Sequence, residues 1–378
     1  MIEWTDQQIQ AFQTTLLTWY DQEKRDLPWR RDHDPYHVWV SEIMLQQTQV
    51  QTVMPYYNRF MAQFPTVADL ATAPEAKLMK AWEGLGYYSR ARNLQRAARQ
   101  IVDEYGGEWP QTAAGLQKLA GIGPYTAGAI ASIAFNEPVP AVDGNAFRVF
   151  ARLLKIDDDI AKPQTRQVFE QVISRVISQE RPGDFNQAIM DLGSSYMTAK
   201  NPDSEHSPVK AFNQAYLDGV ELDYPVKTKK PRPVEVAYYG LAIQQGDRTL
   251  MVKRPSDGLL ANFWTYPLIA KADVVALSDA DPADVSDEAA LALVPQWVKA
   301  NYGLTVTVTP IGGRPVTHTF THRKWVVTLL TATVAADADL SFFPGKWLDS
   351  VEISTMAFPK VQDKLFKRMI KEKPMYRG

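Results

Sequence analysis

The sequence predicts an all-α domain followed, across a linker, by a smaller α+β domain. Three observations predict it. Apolar residues recur at helical spacing from Asp6 to about Leu217, with almost no two-residue alternation. The run Leu222-Asp-Tyr-Pro-Val-Lys-Thr-Lys-Lys-Pro-Arg-Pro233 is rich in proline and lysine and lacks apolar periodicity, the mark of a linker. Beyond it, β-like stretches surround one helical pattern. A chain of 378 residues has room for two separate cores.

Taken in order, the first domain shows helical patterns over residues 7–20, 38–49, 56–64, 75–82, 89–105, 112–119, 125–134 and 165–177, separated by polar or Pro/Gly breaks. In the second, β-like stretches cover 234–244, 249–253, 304–309, 316–320 and 324–334, and a helix is predicted over 287–301. Domain bounds of 1–222, a linker of 223–235 and a second domain of 236–370 follow.

Composition narrows the chemistry. There is no cysteine, which excludes disulfides and thiolate metal sites. The pairs His33/His37 and His318/His322 lack the intervening Glu of a helical zinc motif and fall in stretches read as loop or strand, so no metal site is expected. The N-terminus is acidic and polar, and no long apolar run follows. A cytoplasmic protein without a signal peptide or membrane anchor is the expectation. Net charge is −2, but Arg90, Arg92, Arg96 and Arg99 crowd one stretch while residues 273–288 are acidic. The arginine stretch therefore reads either as a local basic surface or as a solvated helix face, and both readings stay open.

The run Leu119-Ala-Gly-Ile-Gly-Pro-Tyr-Thr-Ala-Gly128 carries the first functional signal. A Gly-x-Gly turn entering a helix, with Pro124 at the first helical position, presents free backbone N–H groups and a positive dipole end to a phosphate. With the preceding helical pattern it reads as a helix-hairpin-helix that grips a nucleic-acid backbone, through Gly121 and Gly123. Asp143, in Ala141-Val-Asp-Gly-Asn145, follows shortly after. Glu42 lies among apolar Val40, Ile43, Met44 and Leu45, where a carboxyl group stays protonated and can serve as a general acid. Two carboxyl groups from distant segments can break a glycosidic bond through an oxocarbenium-like state.

Six stretches together carry a resemblance: Leu27-Pro-Trp-Arg30, Ser41-Glu-Ile-Met-Leu-Gln-Gln-Thr-Gln-Val50, Gly84-Leu-Gly-Tyr-Tyr-Ser-Arg-Ala-Arg-Asn-Leu94, the hairpin, Ala141-Val-Asp-Gly-Asn145 and Phe185-Asn-Gln-Ala188. Residues 1 to about 370 resemble the adenine DNA glycosylases of the MutY type, in the helix-hairpin-helix base-excision superfamily. The resemblance implies an all-α glycosylase domain, a Nudix-like second domain, and excision of adenine misincorporated opposite 8-oxoguanine in duplex DNA. Glu42 would protonate the flipped adenine and Asp143 would stabilise the sugar cation, with Tyr125 and Asn145 supporting them. Arg25, Trp29 and Gln187 resemble pocket residues. Gln47 and Tyr87 resemble the wedge that enters the base stack, and Arg30, Thr48, Leu85 and Ser89 belong to the matching DNA-binding stretches. Tyr125 stands where the endonuclease III-like branch has a Schiff-base lysine, so a monofunctional enzyme is expected. A monomer on nucleoid DNA is the natural expectation.

Most members of the family hold a [4Fe–4S] cluster on four cysteines. Here Met197, Ser204, Ser207 and Asn213 stand at those places, so a cluster-lacking member is expected, with loop 197–213 held by packing of Pro202, His206, Pro208 and Phe212. Lys200 and Lys210 are candidate DNA contacts there, and a monovalent cation at the hairpin carbonyls around Ile122 is a further candidate. In the second domain, Lys253-Arg-Pro-Ser-Asp-Gly-Leu-Leu-Ala-Asn-Phe-Trp-Thr-Tyr-Pro267 resembles the Nudix-like module. Trp297, Ala300 and Asn301 stand where a working Nudix hydrolase carries acids, so no pyrophosphatase is expected. Phe320, Thr321 and His322 resemble the loop that reads 8-oxoguanine. Two alternatives stay open: a glycosylase for another mismatched base, and a lesion-binding protein with weak catalysis.

Overall fold

The computed structural model describes residues 4–229, 231–334 and 345–372; residues 1–3 of the acidic N-terminus and Lys230 of the predicted linker lie outside them. The chain divides into two compact units, Met1–Lys230 and Pro231–Gly378.

The first unit is helical: α1 (Asp6–Glu23), α2 (Pro35–Leu45), α3 (Val50–Gln63), α4 (Val67–Thr72), α5 (Glu75–Ala81), α6 (Ser89–Tyr105), α7 (Ala113–Leu116), α8 (Pro124–Phe135), α9 (Gly144–Leu154), α10 (Thr165–Val176), α11 (Pro182–Ser195) and α12 (Gln214–Leu217). Local chemistry sets several starts. Thr5 and Gln8 form a capping box on α1, Asp34 caps α2 with Pro35 at its first turn, and Gly123–Pro124 opens α8. Two expected helices are shorter. α2 stops at Leu45 rather than 49, because Gln46 leaves the helix and Gln47 turns left-handed at φ 63°. α7 is a single turn rather than 112–119, bounded by the Thr112 cap and the turn at Gly121, whose φ is +75°. His37, expected in a loop or strand, lies on α2.

α8 is the axis of this unit, buried from Thr126 to Ile133. It is packed closely enough that a Cβ on Gly128 would sit 2.3 Å from the Pro140 carbonyl oxygen, and one on Gly183 of α11 would sit 2.7 Å from that of Ser132. Glycine is required at both. Beside it, α1, α9, α10 and α11 close a core on Phe12, Phe150, Phe169 and Phe185. The stretch read as linker starts by running back along this unit: the Val226 carbonyl accepts from Ile160 N–H, and Thr228 bonds Asp159.

The second unit comprises β1 (Val234–Gln245), β2 (Arg248–Lys253), β3 (Trp264–Thr265), β4 (Leu268–Ala270), α13 (Lys271–Val275), α14 (Asp287–Ala292), α15 (Val294–Tyr302), β5 (Thr307–Pro310), β6 (Val316–Thr319), β7 (Arg323–Thr333), β8 (Gly345–Leu348), α16 (Ser350–Thr355) and α17 (Lys360–Glu372). β1 and β7 run parallel in register from Val234↔Arg323 to Gln244↔Thr333, and the other pairs are antiparallel. The strand order is β3-β2-β1-β7-β5. One core cluster joins the sheet to α13, α14 and α15, and another joins it to α17. The single helix expected over 287–301 is two: the first ends at Ala292, and Pro295, which has no N–H to donate, sits in the first turn of the second. α17 was not expected, although Val361, Leu365 and Met369 recur every fourth residue and are buried. Among the described residues, no helix is long and apolar enough to cross a membrane.

Candidate active site

Between α2, the start of α8, the start of α9 and α11 lies a cavity of about 940 Å³. It brings together Arg25, Trp29, Arg30, Glu42, Gln47, Thr48, Tyr125, Asp143, Asn145 and Gln187 from stretches far apart in sequence. Each side chain has an evident reason for its position. Glu42 sits in the middle of α2, whose Val40 and Met44 are fully buried, and is itself only 6% exposed. Burial raises its pKa from 4.5 to about 7, helped by the Asp143 charge and opposed by Tyr125 and Arg30. The Tyr125 hydroxyl, projecting from the first turn of α8, donates to Glu42 Oε2.

Asp143 is the N-cap of α9, its Oδ1 accepting from Ala146 N–H at 2.7 Å. Asn145 Nδ2 donates to Oδ2 at 2.8 Å. Burial pushes the Asp143 pKa up, and these donors with Arg148 pull it down. The amide of Asn145 is itself oriented, since Arg148 Nη2 donates to its Oδ1 at 2.6 Å. Arg148 also donates to the carbonyls of Gly144, Gly193 and Met197, tying the N-terminal end of α9 to α11 and the chain after it. One wall therefore holds the Glu42 carboxyl, with a pKa near neutrality, and another holds Asp143, whose carboxyl accepts two hydrogen bonds.

The pocket walls differ from expectation in one respect. Arg30, read from sequence as a DNA contact, lies in the wall with only 11% of its side chain exposed. It donates to both oxygens of Asp191, which also binds Arg25. Asp191 is buried and the two guanidinium groups hold its pKa down against desolvation. The sequence alone does not single out Asp191; an acid on the buried face of α11 was the available signal. Arg148 was missed as well. Trp29 is buried with its ring against Tyr57 at 5.3 Å, and Gln187 is 8% exposed.

At the mouth, Gln47 and Tyr87 are exposed, and both adopt left-handed backbone conformations (φ 63° and 48°) rare for side-chain-bearing residues. Leu85, by contrast, is buried, and Ser89 is exposed at the first position of α6. The hairpin exposes Gly121 and Gly123, whose amides have no hydrogen-bond acceptor among the described residues. In the arginine stretch, Arg96 and Arg99 are exposed, while Arg90 and Arg92 are half-buried. Arg92 pairs with Glu75, Arg99 donates to the Ala71 carbonyl, and Arg90 turns inward onto backbone carbonyls.

The four positions of the cluster loop are all buried. Met197 belongs to the core. Ser204 donates to Glu221, and Asn213 Nδ2 lies 3.2 Å from both Ser204 Oγ and Glu221 Oε1. Arg152, fully buried, donates to the Thr198 and Tyr224 carbonyls and lies 3.9 Å from Glu221. A thioether, two hydroxyls and an amide do not fit an iron–sulfur cluster, which needs thiolates. Phe212 packs on Trp4 and Phe12 as expected of it, whereas His206 is exposed and tied to Asp203. Lys210 pairs with Glu205, and Lys200 is exposed.

In the second unit, the hairpin between β6 and β7 leaves Thr321 and His322 exposed, while Phe320 is half-buried on Trp325 and His318, with ring centroids 4.8 and 4.6 Å apart.

The family model described as "HhH-GPD superfamily base excision DNA repair protein" matches residues 40–175, and one described as "NUDIX domain" matches residues 238–368. The human adenine DNA glycosylase is 35% identical over 95% of this chain and 74% of its own length. The chain belongs to the adenine DNA glycosylase family. It is a base-excision repair enzyme that removes adenine from DNA. The mouse adenine DNA glycosylase is 39% identical over 69% of this chain, and the Arabidopsis thaliana one 40% over 70%; the chain spans 61% and 48% of their lengths. A solved structure titled as a thermostable thymine-DNA glycosylase superposes with a TM-score of 0.50 at 25% identity, over 56% of this chain and 98% of its own. The glycosylase thus joins a helical excision unit to a Nudix-like α+β unit.

Proposed function

We propose that this glycosylase excises adenine paired with 8-oxoguanine, or with guanine, from duplex DNA of the bacterial nucleoid and leaves an abasic site. Adenine swings out of the stack into the cavity, where Arg25, Trp29 and Gln187 meet it. Glu42 gives its proton to a ring nitrogen. The bond from sugar C1′ to the base breaks with its electron pair passing to the base, and Asp143 faces the cation left on the sugar. Water then adds at C1′ and loses a proton. Tyr125 holds Glu42 by a hydrogen bond, and Asn145 does the same for Asp143.

Glu42 and Asp143 facing one cavity, with burial raising the Glu42 pKa to about 7, is the observation that supports this chemistry most. Tyr125 has no amine for a Schiff base, so strand scission is not part of the reaction. The enzyme works without an iron–sulfur cluster, the hairpin amides of Gly121 and Gly123 bind phosphate, and a monovalent cation at the carbonyls around Ile122 belongs to the same reading. In the second unit, Thr321 and His322 hydrogen-bond the 8-oxoguanine while Phe320 backs the hairpin.

Single-turnover release from duplexes carrying adenine opposite 8-oxoguanine, guanine or thymine tests the reading. Release fastest opposite 8-oxoguanine, with strand breaks only after alkali, is expected. Equal rates on all three would remove the second unit from recognition, and breaks without alkali would refute the monofunctional chemistry.

A further inference from the structure

Arg90 has a set of partners that neither the pocket nor a phosphate contact explains. Its Nη1 donates to the carbonyls of Ile43 at 2.6 Å and Gln46 at 2.7 Å, at the end of α2. Its Nη2 donates to the carbonyls of Leu85 and Gly86, both at 3.1 Å, in the turn before α6. The guanidinium lies over the rings of Trp82 and Tyr87, at 5.6 and 5.5 Å. Two segments more than forty residues apart are therefore held by one planar group, and each segment ends in an exposed side chain on a left-handed backbone, Gln47 on one and Tyr87 on the other.

Such backbone conformations cost energy and persist only where the surroundings enforce them. The carbonyls Arg90 binds lie one to four residues before those positions, so the clamp acts where the chain must be bent. No carboxylate takes part. A guanidinium suits the task because its donors fan out in one plane and can serve two pairs of acceptors together. A lysine ammonium has three donors on a single point and cannot span both pairs. Burial lowers the Arg90 pKa to about 10, which leaves it charged at neutral pH.

We propose that Arg90 is a positioning residue that locks the tips bearing Gln47 and Tyr87 in one geometry, so that both enter the DNA stack together as adenine leaves. This rests on reading Gln47 and Tyr87 as the base-displacing wedge. A preset wedge matters because extrusion must offset lost stacking and pairing; tips that move independently would offset less of it.

The test uses the full chain with Glu42→Gln to block excision, and a duplex with 2-aminopurine in place of the adenine opposite 8-oxoguanine. Anisotropy sets protein at saturation, and the 2-aminopurine fluorescence rise reports unstacking. Tyr87→Ala is expected to reduce that rise, Arg90→Met to reduce it about tenfold, and Arg90→Lys, which keeps charge and stem, to reduce it as well. With Glu42 left native, single-turnover excision by Arg90→Lys should fall between about tenfold and a hundredfold. Should Arg90→Met fail to fold, Arg90→Lys decides. A wild-type rise with Arg90→Lys while Tyr87→Ala loses it overturns the clamp and leaves the wedge standing. A wild-type rise with both Tyr87→Ala and Gln47→Ala removes the wedge, and the clamp with it.

Discussion

At the scale of single residues, Glu42 meets opposite demands from folding and from chemistry. The proposed chemistry needs its proton near neutral pH, and the fold favours it by burying the carboxyl on α2 until its pKa stands at about 7 instead of 4.5. The folded pKa lies above the unfolded one, so the stabilisation is fully present below about pH 4.5 and is lost as pH rises through about 7. Above that, the chain must keep a buried carboxylate with one hydroxyl donor and a distant Arg30. Glu42→Gln removes the charge and keeps the shape. It is expected to melt above the native protein at alkaline pH, by up to about 3 kcal/mol of stability, with the difference vanishing in mild acid. Denaturant titrations at the two ends of that range measure it, and parallel curves at both would mean Glu42 is not held neutral. The same variant should bind adenine-containing duplex and release no base, while native release should slow as pH climbs past about 7.

At the scale of elements, the two acids meet because α8 lets its neighbours come close. Gly128 admits the Pro140 carbonyl, and the segment after Pro140 carries Asp143 to the head of α9. Gly128→Ala places a methyl 2.3 Å from that oxygen, and backbone cannot swing aside as a side chain can. A loss of about 1–3 kcal/mol, with slower single-turnover excision because Asp143 moves, is the expected outcome; native stability and rate together would show that this approach is soft. Much of this level was legible. The apolar periods announce α1, α6 and α10 nearly to the residue, and Gly-Pro-Tyr announces the start of α8. What was not legible depends on partners remote in sequence. Nothing near Arg90 says that it will serve carbonyls on α2, and nothing near Arg30 says that Asp191, on α11, will draw it into the pocket wall. Glu221, which Ser204 and Asn213 engage in the cluster loop, is likewise silent in sequence, because its partners stand 8 and 17 residues away and reach it only through the fold.

At the scale of the whole chain, two units with separate cores carry the two proposed tasks, and the proposed division can be cut. Among the described residues, the cavity proposed for excision is lined by residues of the first unit alone. The hairpin of the second is fixed within its own unit: Phe320 N–H donates to the Arg323 carbonyl at 2.7 Å, Val234 N–H to that of His322 at 3.1 Å, and Lys364 to that of Thr317 at 2.7 Å. With Phe320 packed on Trp325, the tip exposes the Thr321 and His322 side chains, a hydroxyl and an imidazole ring suited to a base. A chain ending at Lys230 should still release adenine opposite guanine, because every group assigned to the chemistry remains. It should lose its preference for 8-oxoguanine. Thr321→Ala and His322→Ala in the full chain should each remove part of that preference, about 0.5–1.5 kcal/mol per lost hydrogen bond, or a few-fold in the rate ratio. The ratio of single-turnover rates opposite 8-oxoguanine and guanine is the measurement. If the shortened chain keeps the native ratio, discrimination lies in the helical unit, and the hairpin serves only the stability of its own sheet. If the shortened chain loses the ratio but both point variants keep it, the second unit recognises the lesion through some other part of its surface.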